Sequence, residues 1–175
     1  MHTPRLLLRP FRYGDVKDVF DLCSCTETSK FSLWEPHESL WDSIKYIFFV
    51  KHKSVGIHWS VRDAASDEMI GSCSFVTIDW ENGIGEIGYS VNPRFWRRRY
   101  GSETADALLK LGFGKMGLKR IAVRIMAENI PSLEMARSLG MHEVESEEKF
   151  VVYNGRKRDI VRLEISAEEY AAKID

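Results

Sequence analysis

The sequence predicts an α/β fold, with a mixed and mostly antiparallel sheet flanked by helices, in a single domain over residues 1–175. The length supports one domain, because 175 residues leave little room for a second core. Apolar residues alternate through the middle of the chain, as in strands, and recur at helical spacing on both sides of it. A strand–helix–strand succession in the second half needs a crossover connection, so at least one pair of strands should be parallel.

The first part of the chain reads as one strand followed by two helices. Residues Thr3–Pro10 alternate like a strand, and Gly14-Asp15 offers a turn and an N-cap. The spacing of the first helix comes from Val16, Val19, Phe20 and Cys23. Ser39 and Asp42 resemble a capping box at the start of the second helix. The apolar stripe expected on this second helix consists of Leu40, Ile44, Ile47 and Phe48.

Three strands follow in the middle of the chain. Alternation predicts a first strand through Ile57–Val61, and a turn is expected at Asp67-Glu68. Met69–Ile78 and Glu86–Val91 predict the second and third strands. Because the connections are short, the three strands should form an antiparallel meander.

The second half returns to helical spacing and ends in two strands. A helix is predicted from about Gly101, with Gly117 after its end. A strand through Ile121–Ile125 precedes a helix that has Pro131 in its first turn and ends at Gly140. The last two strands, around Glu147–Tyr153 and Arg158–Ile165, should be joined by a turn at Asn154-Gly155.

Composition excludes several classes of protein. The net charge of −1 gives no global field that would recruit nucleic acid or an acidic membrane. No apolar run approaches the roughly 20 residues that span a bilayer. The five histidines are scattered without metal-ligand spacing, so no metal is expected. The odd number of cysteines and the absence of a secretory signal favour a reducing, cytoplasmic setting; the cysteines are Cys23, Cys25 and Cys73.

The segment that carries chemistry runs from the strand Glu86–Val91, through an arginine-rich loop, into the helix near Gly101. The first amides of a helix lack internal partners and, with the helix dipole, attract anions. The arginine run 97–99 adds positive charge, and Gly101 allows close approach of the backbone. The residues therefore predict a phosphate site, and a solvated basic loop stays open as the alternative.

This loop resembles the phosphate-binding motif of the GNAT superfamily of acetyltransferases, which reads Arg/Gln-x-x-Gly-x-Gly/Ala after a strand. Trp96 stands at the Arg/Gln position and Gly101 at the final small position. The motif's first glycine is Arg99 here, so that either a positive φ strains this residue or its guanidinium contacts phosphate. The resemblance places the pyrophosphate of acetyl-CoA on Trp96, Arg97, Arg98, Arg99, Tyr100, Gly101 and Ser102.

The resemblance covers roughly residues 3–166 and extends to the branch of the ribosomal-protein N-terminal acetyltransferases. Other segments carry it in the same order and at similar spacing. They are Thr3–Arg12, Ile70-Gly71, Glu86–Tyr89, Glu128–Ser132, Leu139–Met141, and Asn154-Gly155 with Asp159.

The resemblance also implies roles for individual residues. Glu86 would be the general base for the acceptor amine, with an ordinary strand glutamate as the alternative. Backbone groups of Ser90 and Val91 would pair with the pantetheine arm or polarise the thioester carbonyl, with plain strand pairing as the alternative. Asn129 and Ser132 would lie near the cofactor, and Ser132 would protonate the leaving thiolate, although helix capping also explains both.

Two further positions complete the implied site. Many relatives carry a tyrosine four residues after Ser132, and Ala136 holds that position here. Trp34 falls where relatives form an acceptor groove.

No cysteine nucleophile is expected, because nothing beside Cys73 resembles a cysteine–histidine pair.

The expected function is direct transfer of an acetyl group from acetyl-CoA to a primary amine in a ternary complex, with a protein N-terminal α-amine as the expected acceptor. Alternatives are a polyamine, antibiotic or other small amine as acceptor, a catalytically silent acyl-CoA-binding module, and nucleic-acid binding through Arg97–Arg99. The net charge argues against the last. A homodimer is left open, and no nucleic-acid or membrane partner is expected.

Overall fold

An eight-stranded mixed sheet organises the chain in the computed structural model, which describes residues 1–32, 34–146, 149–153 and 156–174. The strands follow the order β1-β2-β3-β4-β5-β8-β6, and β7 pairs with β8 outside this path. Their bounds are β1 Leu6–Arg9, β2 Ile57–Asp63, β3 Met69–Asp79, β4 Ile84–Val91, β5 Arg120–Met126, β6 His142–Glu143, β7 Phe150–Tyr153 and β8 Arg156–Ser166.

Helices cover the sheet. They are α1 Val16–Cys23, α2 Thr26–Ser29, α3 Leu40–His52, α4 Tyr100–Lys110, α5 Ile130–Ser138 and α6 Ala167–Ile174. Short 3₁₀ turns lie at Tyr13–Asp15 and Pro93–Phe95, and a π-helical turn at Leu111–Lys115 extends α4. In the part of the chain that the structure describes, no helix is long and apolar enough to cross a membrane.

One parallel pair interrupts the antiparallel sheet, and it separates halfway along. The residues of β4 from Ile84 to Ile87 pair with those of β5 from Arg120 to Val123. Beyond Ile87 the register between the two strands stops, although β4 continues to pair with β3 and β5 with β8. A gap therefore opens between the second halves of β4 and β5.

Two hydrophobic clusters hold helices to opposite faces of the sheet. Phe75 and Leu108 belong to the larger cluster, which joins the sheet to α4, α5 and α6. Ile47 belongs to the smaller cluster beneath α1 and α3. The faces are opposite because side chains alternate along a strand: Met69 of β3 packs in the smaller cluster, whereas its neighbour Ile70 packs in the larger one.

Most of the expected architecture is confirmed. The antiparallel meander of β2, β3 and β4 is present, as is the parallel pair. The capping box forms, because Asp42 accepts a hydrogen bond from the backbone N–H of Ser39 at 3.1 Å. Gly117 and Gly140 have φ of +65° and +92°, as expected after helix ends. The expected turn at Asn154-Gly155 lies outside the described residues.

Two local predictions are wrong. Of the stripe expected on α3, Leu40 and Phe48 are exposed, and the helix instead buries Ser43, whose hydroxyl meets His37 Nδ1 at 2.9 Å. Asp15 stands at the start of α1 but makes no side-chain cap, because its buried carboxylate pairs with Arg9 at 2.7 Å. The sequence reasoning also missed α2, β6 and α6.

Candidate active site

Two cavities open where β4 and β5 diverge. The first, the loop-side cavity, has a volume of about 560 Å³ and lies against the loop that precedes α4. The second, the sheet-side cavity, has a volume of about 340 Å³ and lies against β3, β4 and β5. Molecules bound in the two cavities would meet at their common wall, which we call the junction. The described junction residues are Phe31, Ser32, Tyr89, Ser90, Asn129 and Ser132.

The loop before α4 has an unusual backbone. Arg97 and Arg99 both have a φ of +61°, and Arg99 is the residue that caps α4. The positive φ, one of the two alternatives left open for Arg99, is present, and the left-handed conformation costs a non-glycine residue about 1–2 kcal/mol. The turn places the first residues of α4, Tyr100, Gly101 and Ser102, in the wall of the loop-side cavity.

This part of the loop-side cavity is suited to an anion. The first amides of α4 have no acceptor within the helix. Arg97 and Arg99 also line the cavity, and in the described part of the chain neither guanidinium pairs with a carboxylate. The positive end of the helix dipole and the two guanidinium groups therefore act together at one place. Arg98 is not among the described residues of this wall, and its guanidinium lies 5.7 Å from the centre of the Phe95 ring.

The strained loop is held by residues from the N-terminal end of the chain. Arg5 donates through Nη1 to the carbonyl of Arg98 at 3.1 Å and through Nε to Glu103 at 2.7 Å. Burial alone would raise the pKa of Glu103, but hydrogen bonds from Thr3 and Arg5 lower it below its ordinary value. Glu103 therefore stays charged and keeps Arg5 beneath the loop.

Gly101 packs closely against two neighbouring side chains in the first turn of α4. A Cβ atom built on Gly101 would lie 3.1 Å from Met135 Sδ and 3.8 Å from Val91 Cγ2. An alanine would fit only if the flexible Met135 side chain moved slightly. A larger side chain would enter the cavity that the loop surrounds.

The backbone of β4 presents alternate residues to the gap. Asn92 donates its N–H to the carbonyl of Ile70 at 2.9 Å, and Ser90 pairs with Ser72 in the same ladder. Because backbone groups alternate between the two edges of a strand, those of Ser90 face β3, whereas those of Tyr89 and Val91 face the gap. The backbone groups of Ser90, expected to contact pantetheine, are therefore engaged with β3 and do not reach the gap, whereas those of Tyr89 and Val91 face it.

Trp96, which holds the Arg/Gln position of the motif, makes a structural contact within the chain. Its indole Nε1 donates to the carbonyl of Val91 at 2.7 Å, so that it ties the loop to the end of β4. The carbonyl of Val91 is consequently engaged, and the N–H of Val91 is the group left to face the gap. Trp96 still lines the loop-side cavity.

The sheet-side cavity contains Glu86, the residue for which the sequence predicts the role of general base. The Glu86 carboxylate forms an ion pair with Arg124 at 2.9 Å, and its side chain is 14% exposed. Trp34 lies in the wall of the same cavity, as expected, and its buried indole Nε1 has no partner among the described residues. His58 lies there too; burial lowers its pKa, and its Nε2 lies 2.7 Å from Ser54 Oγ. Apart from Glu86, the described residues of this wall include no carboxylate.

Asn129 and Ser132 meet at the start of α5. Asn129 Oδ1 accepts a hydrogen bond from the backbone N–H of Ser132 at 3.3 Å, so the capping interpretation of Asn129 is confirmed. The hydroxyl of Ser132 points elsewhere, to the Tyr89 hydroxyl at 3.1 Å. Ala136, one turn further along, is buried in the core.

Sequence reasoning missed two parts of the site. Tyr89 was placed on a strand without a functional role, and the only available signal was its proximity to Glu86 in a strand that leads to the loop. The second part is the segment around α2, which supplies Glu27, Thr28, Phe31 and Ser32 to the cavity walls. A four-residue helix of polar residues carries no apolar periodicity, so no pattern marks it.

Comparison with known proteins gives a consistent result. The model of a family described as the acetyltransferase (GNAT) domain matches residues 5–142. An uncharacterized N-acetyltransferase, p20 of Bacillus licheniformis, is 29% identical over 174 residues, which cover 98% of each chain.

Two solved structures from Vibrio cholerae share the fold. A proposed ribosomal-protein-serine acetyltransferase superposes with a TM-score of 0.83 at 18% identity, covering 94% of this chain and 95% of that one. A spermidine N-acetyltransferase in complex with CoA and spermine superposes with a TM-score of 0.82 at 20% identity, covering 97% and 99%.

Proposed function

The chain belongs to the GNAT acetyltransferase family and is an N-acetyltransferase, and from that premise we propose that it transfers the acetyl group of acetyl-CoA to the α-amine of a polypeptide N-terminus. The observation that carries the proposal is the junction, where a cavity suited to an anionic donor meets a cavity that contains a carboxylate. Direct transfer needs this arrangement, because the nucleophile and the thioester must be within contact distance.

The loop-side cavity fits acetyl-CoA. Gly101 adds no side chain to the cavity wall, and the amides of α4 with Arg97 and Arg99 supply donors for the pyrophosphate. Groups of Tyr89 and Val91 along the open edge of β4 can hydrogen-bond the pantetheine amides as a neighbouring strand would. The thioester would then lie at the junction.

The sheet-side cavity fits the amine. Amines are protonated at neutral pH, and an ammonium group cannot attack a carbonyl until it loses a proton. Glu86 is the carboxylate available in the described wall, and it can accept that proton directly or through water. The amine then forms a bond to the carbonyl carbon, the carbon–sulfur bond breaks, and CoA leaves as the thiol.

The charge of the sheet-side cavity favours a polypeptide over a polyamine as acceptor. The Vibrio cholerae spermidine N-acetyltransferase indicates that this fold can serve a polyamine. A polyamine carries several ammonium groups, and each would need a counter-charge to leave water. In the described wall, Glu86 is the only carboxylate, and it is already paired with Arg124.

A peptide that carries one N-terminal ammonium group followed by a neutral chain does not need several counter-charges. The wall offers hydroxyl groups at Ser72, Ser74 and Ser90, and a buried indole donor at Trp34, which can bond backbone amides. A structural neighbour is described as a proposed ribosomal-protein-serine acetyltransferase, which names a protein as its acceptor.

An acceptor panel tests the proposal. The purified protein would be incubated with acetyl-CoA and one acceptor at a time: short peptides that differ only in their first residue, the same peptides blocked at the α-amine, spermidine, and a small primary amine. We expect acetylation of free peptides and none of the blocked controls, detected by mass spectrometry. Turnover of spermidine or the small amine in preference to every peptide would overturn the polypeptide acceptor but leave acetyl transfer intact.

A further inference from the structure

We propose that Tyr89 and Ser132 form a proton relay between the two cavities, in which Tyr89 acts as a catalytic residue. The inference rests on the proposed function, because it concerns the proton that the acceptor nitrogen must lose and the CoA sulfur must gain. Tyr89 belongs to β4 and Ser132 to the first turn of α5, so the relay would join the strand to the helix across the junction.

The two hydroxyls are placed for this role. Tyr89 Oη lies 3.1 Å from Ser132 Oγ, although 43 residues separate them in the sequence. Both residues belong to the walls of both cavities. In the described part of the chain, neither hydroxyl has another hydrogen-bond partner, so each keeps one further direction free. A proton can therefore enter the pair from one cavity and leave it into the other.

The surroundings favour one direction of transfer. A phenol is a stronger acid than an aliphatic alcohol, so Tyr89 is the expected donor and Ser132 the acceptor of their hydrogen bond. The hydrogen of Ser132 is then free to point into the loop-side cavity. Ser132 lies in the first turn of α5, where the helix dipole stabilises negative charge. A developing thiolate beside Ser132 would benefit from both effects.

Other groups near the junction are engaged elsewhere. Ser32 donates its hydroxyl to the carbonyl of Thr28 at 2.9 Å, and Asn129 caps α5. His58 Nε2 contacts Ser54. Burial raises the pKa of Tyr89 to about 12, so its proton is retained throughout the ordinary range of assays. Among the described junction residues, Tyr89 and Ser132 are the two whose side-chain hydroxyls bond each other, so they are the pair that can connect nitrogen and sulfur.

The step balances without any additional reactant. After the neutral amine bonds to the carbonyl carbon, the nitrogen carries one proton too many for an amide. As the carbon–sulfur bond breaks, its electron pair goes to sulfur, which takes the proton of Ser132 Oγ. Ser132 recovers a proton from Tyr89, and Tyr89 recovers one from the nitrogen. The products are a neutral amide and the CoA thiol, with both side chains restored.

Tyr89→Phe and Ser132→Ala, singly and together, test the relay in the full-length protein with a free peptide as acceptor. Because general acid catalysis contributes about 10²–10⁴-fold, we expect Tyr89→Phe to lower kcat at least tenfold and leave KM for acetyl-CoA nearly unchanged. The double variant should be no slower than Ser132→Ala, since the residues act in one chain. The solvent deuterium isotope effect on kcat should also change in Tyr89→Phe.

A second readout does not depend on turnover. CoA bound to the protein is titrated, and formation of its thiolate is followed by ultraviolet absorbance. If Ser132, oriented by Tyr89, donates to the sulfur, the thiol of bound CoA should have a lower pKa in the wild-type protein than in either variant. Tyr170→Phe is the matched control, because it removes a buried tyrosine hydroxyl, bonded to Asp106 at 2.8 Å, that lies outside both walls.

The outcomes separate this inference from the proposed function. Wild-type kcat in Tyr89→Phe, additive losses in the double variant, or an unchanged thiol pKa would overturn the relay while acetyl transfer stands. Equal losses in Tyr89→Phe and Tyr170→Phe would also overturn it, by showing a structural effect. Absence of transfer by the wild-type protein to any amine would instead overturn the proposed function.

Discussion

Replacement of Arg99 with glycine should stabilise the free protein and weaken its affinity for CoA at the same time. Arg99 has a φ of +61° at the start of α4. Relief of the left-handed conformation gains about 1–2 kcal/mol. Glycine loses about 0.5–1 kcal/mol of this through the greater freedom of the unfolded chain. The net stabilisation is therefore about 0–1.5 kcal/mol with a midpoint of about 0.75 kcal/mol, which corresponds to a rise in Tm of about 2 °C for a chain of this size.

The effect on binding has the opposite sign. The guanidinium of Arg99 lines the loop-side cavity and has no carboxylate partner among the described residues. Loss of one exposed, charge-assisted contact to phosphate should lower CoA affinity on the order of tenfold. Thermal unfolding without ligand gives the first quantity, and calorimetric titration with CoA gives the second.

Arg98→Gly is the matched control. Arg98 neighbours Arg99, but it has no positive φ and lies outside the wall of the loop-side cavity. Glycine there should destabilise the protein slightly and leave CoA affinity nearly unchanged. A lower Tm and an unchanged CoA affinity are expected only of Arg98→Gly. If Arg99→Gly gave the same result, both the strain and the phosphate contact at Arg99 would be refuted.

Three further predictions concern the site and the thiols. Gly101→Ala should lower CoA affinity modestly, whereas Gly101→Glu should abolish CoA binding through steric block and repulsion of phosphate. If calorimetry found undiminished CoA affinity in the glutamate variant, the loop would not be the phosphate site. Glu86→Gln should lower kcat and leave CoA affinity unchanged, and an identical pH–rate profile to wild type would remove Glu86 as the base. Alkylation of the folded protein should modify Cys25 and spare the buried Cys23 and Cys73. Burial raises the pKa of Cys23 to about 12 and also raises that of Cys73, so neither thiol forms the reactive thiolate. Mass mapping that finds either buried thiol labelled as fast as Cys25 would contradict this.

The elements whose structure depends on residues close in sequence were predicted correctly. The capping box at Ser39 needs only residues close in sequence, and so do the left-handed glycines at 117 and 140. The antiparallel meander followed from short connections between alternating segments. The loop before α4 was located for the same reason, because a strand, an arginine run and a helix start are contiguous.

The parts that could not be predicted depend on tertiary contacts. Ser43 is buried in α3 because His37 satisfies its hydroxyl, so burial there does not follow hydrophobicity. The direction of the Ser90 backbone depends on which edge of β4 pairs with β3, and the sequence does not specify this register. The pairing of Tyr89 with Ser132 joins a strand to a helix across the junction, and no spacing in the sequence indicates it.

The most direct test of the account is to measure both products of one reaction. Wild-type protein and Gly101→Glu would each be incubated with acetyl-CoA and a free peptide, and CoA release and acetylated peptide would be quantified together. Direct transfer predicts equal amounts of both products from the wild-type protein and neither from Gly101→Glu. Saturable binding of CoA to the wild-type protein without acetylation of any amine would contradict it.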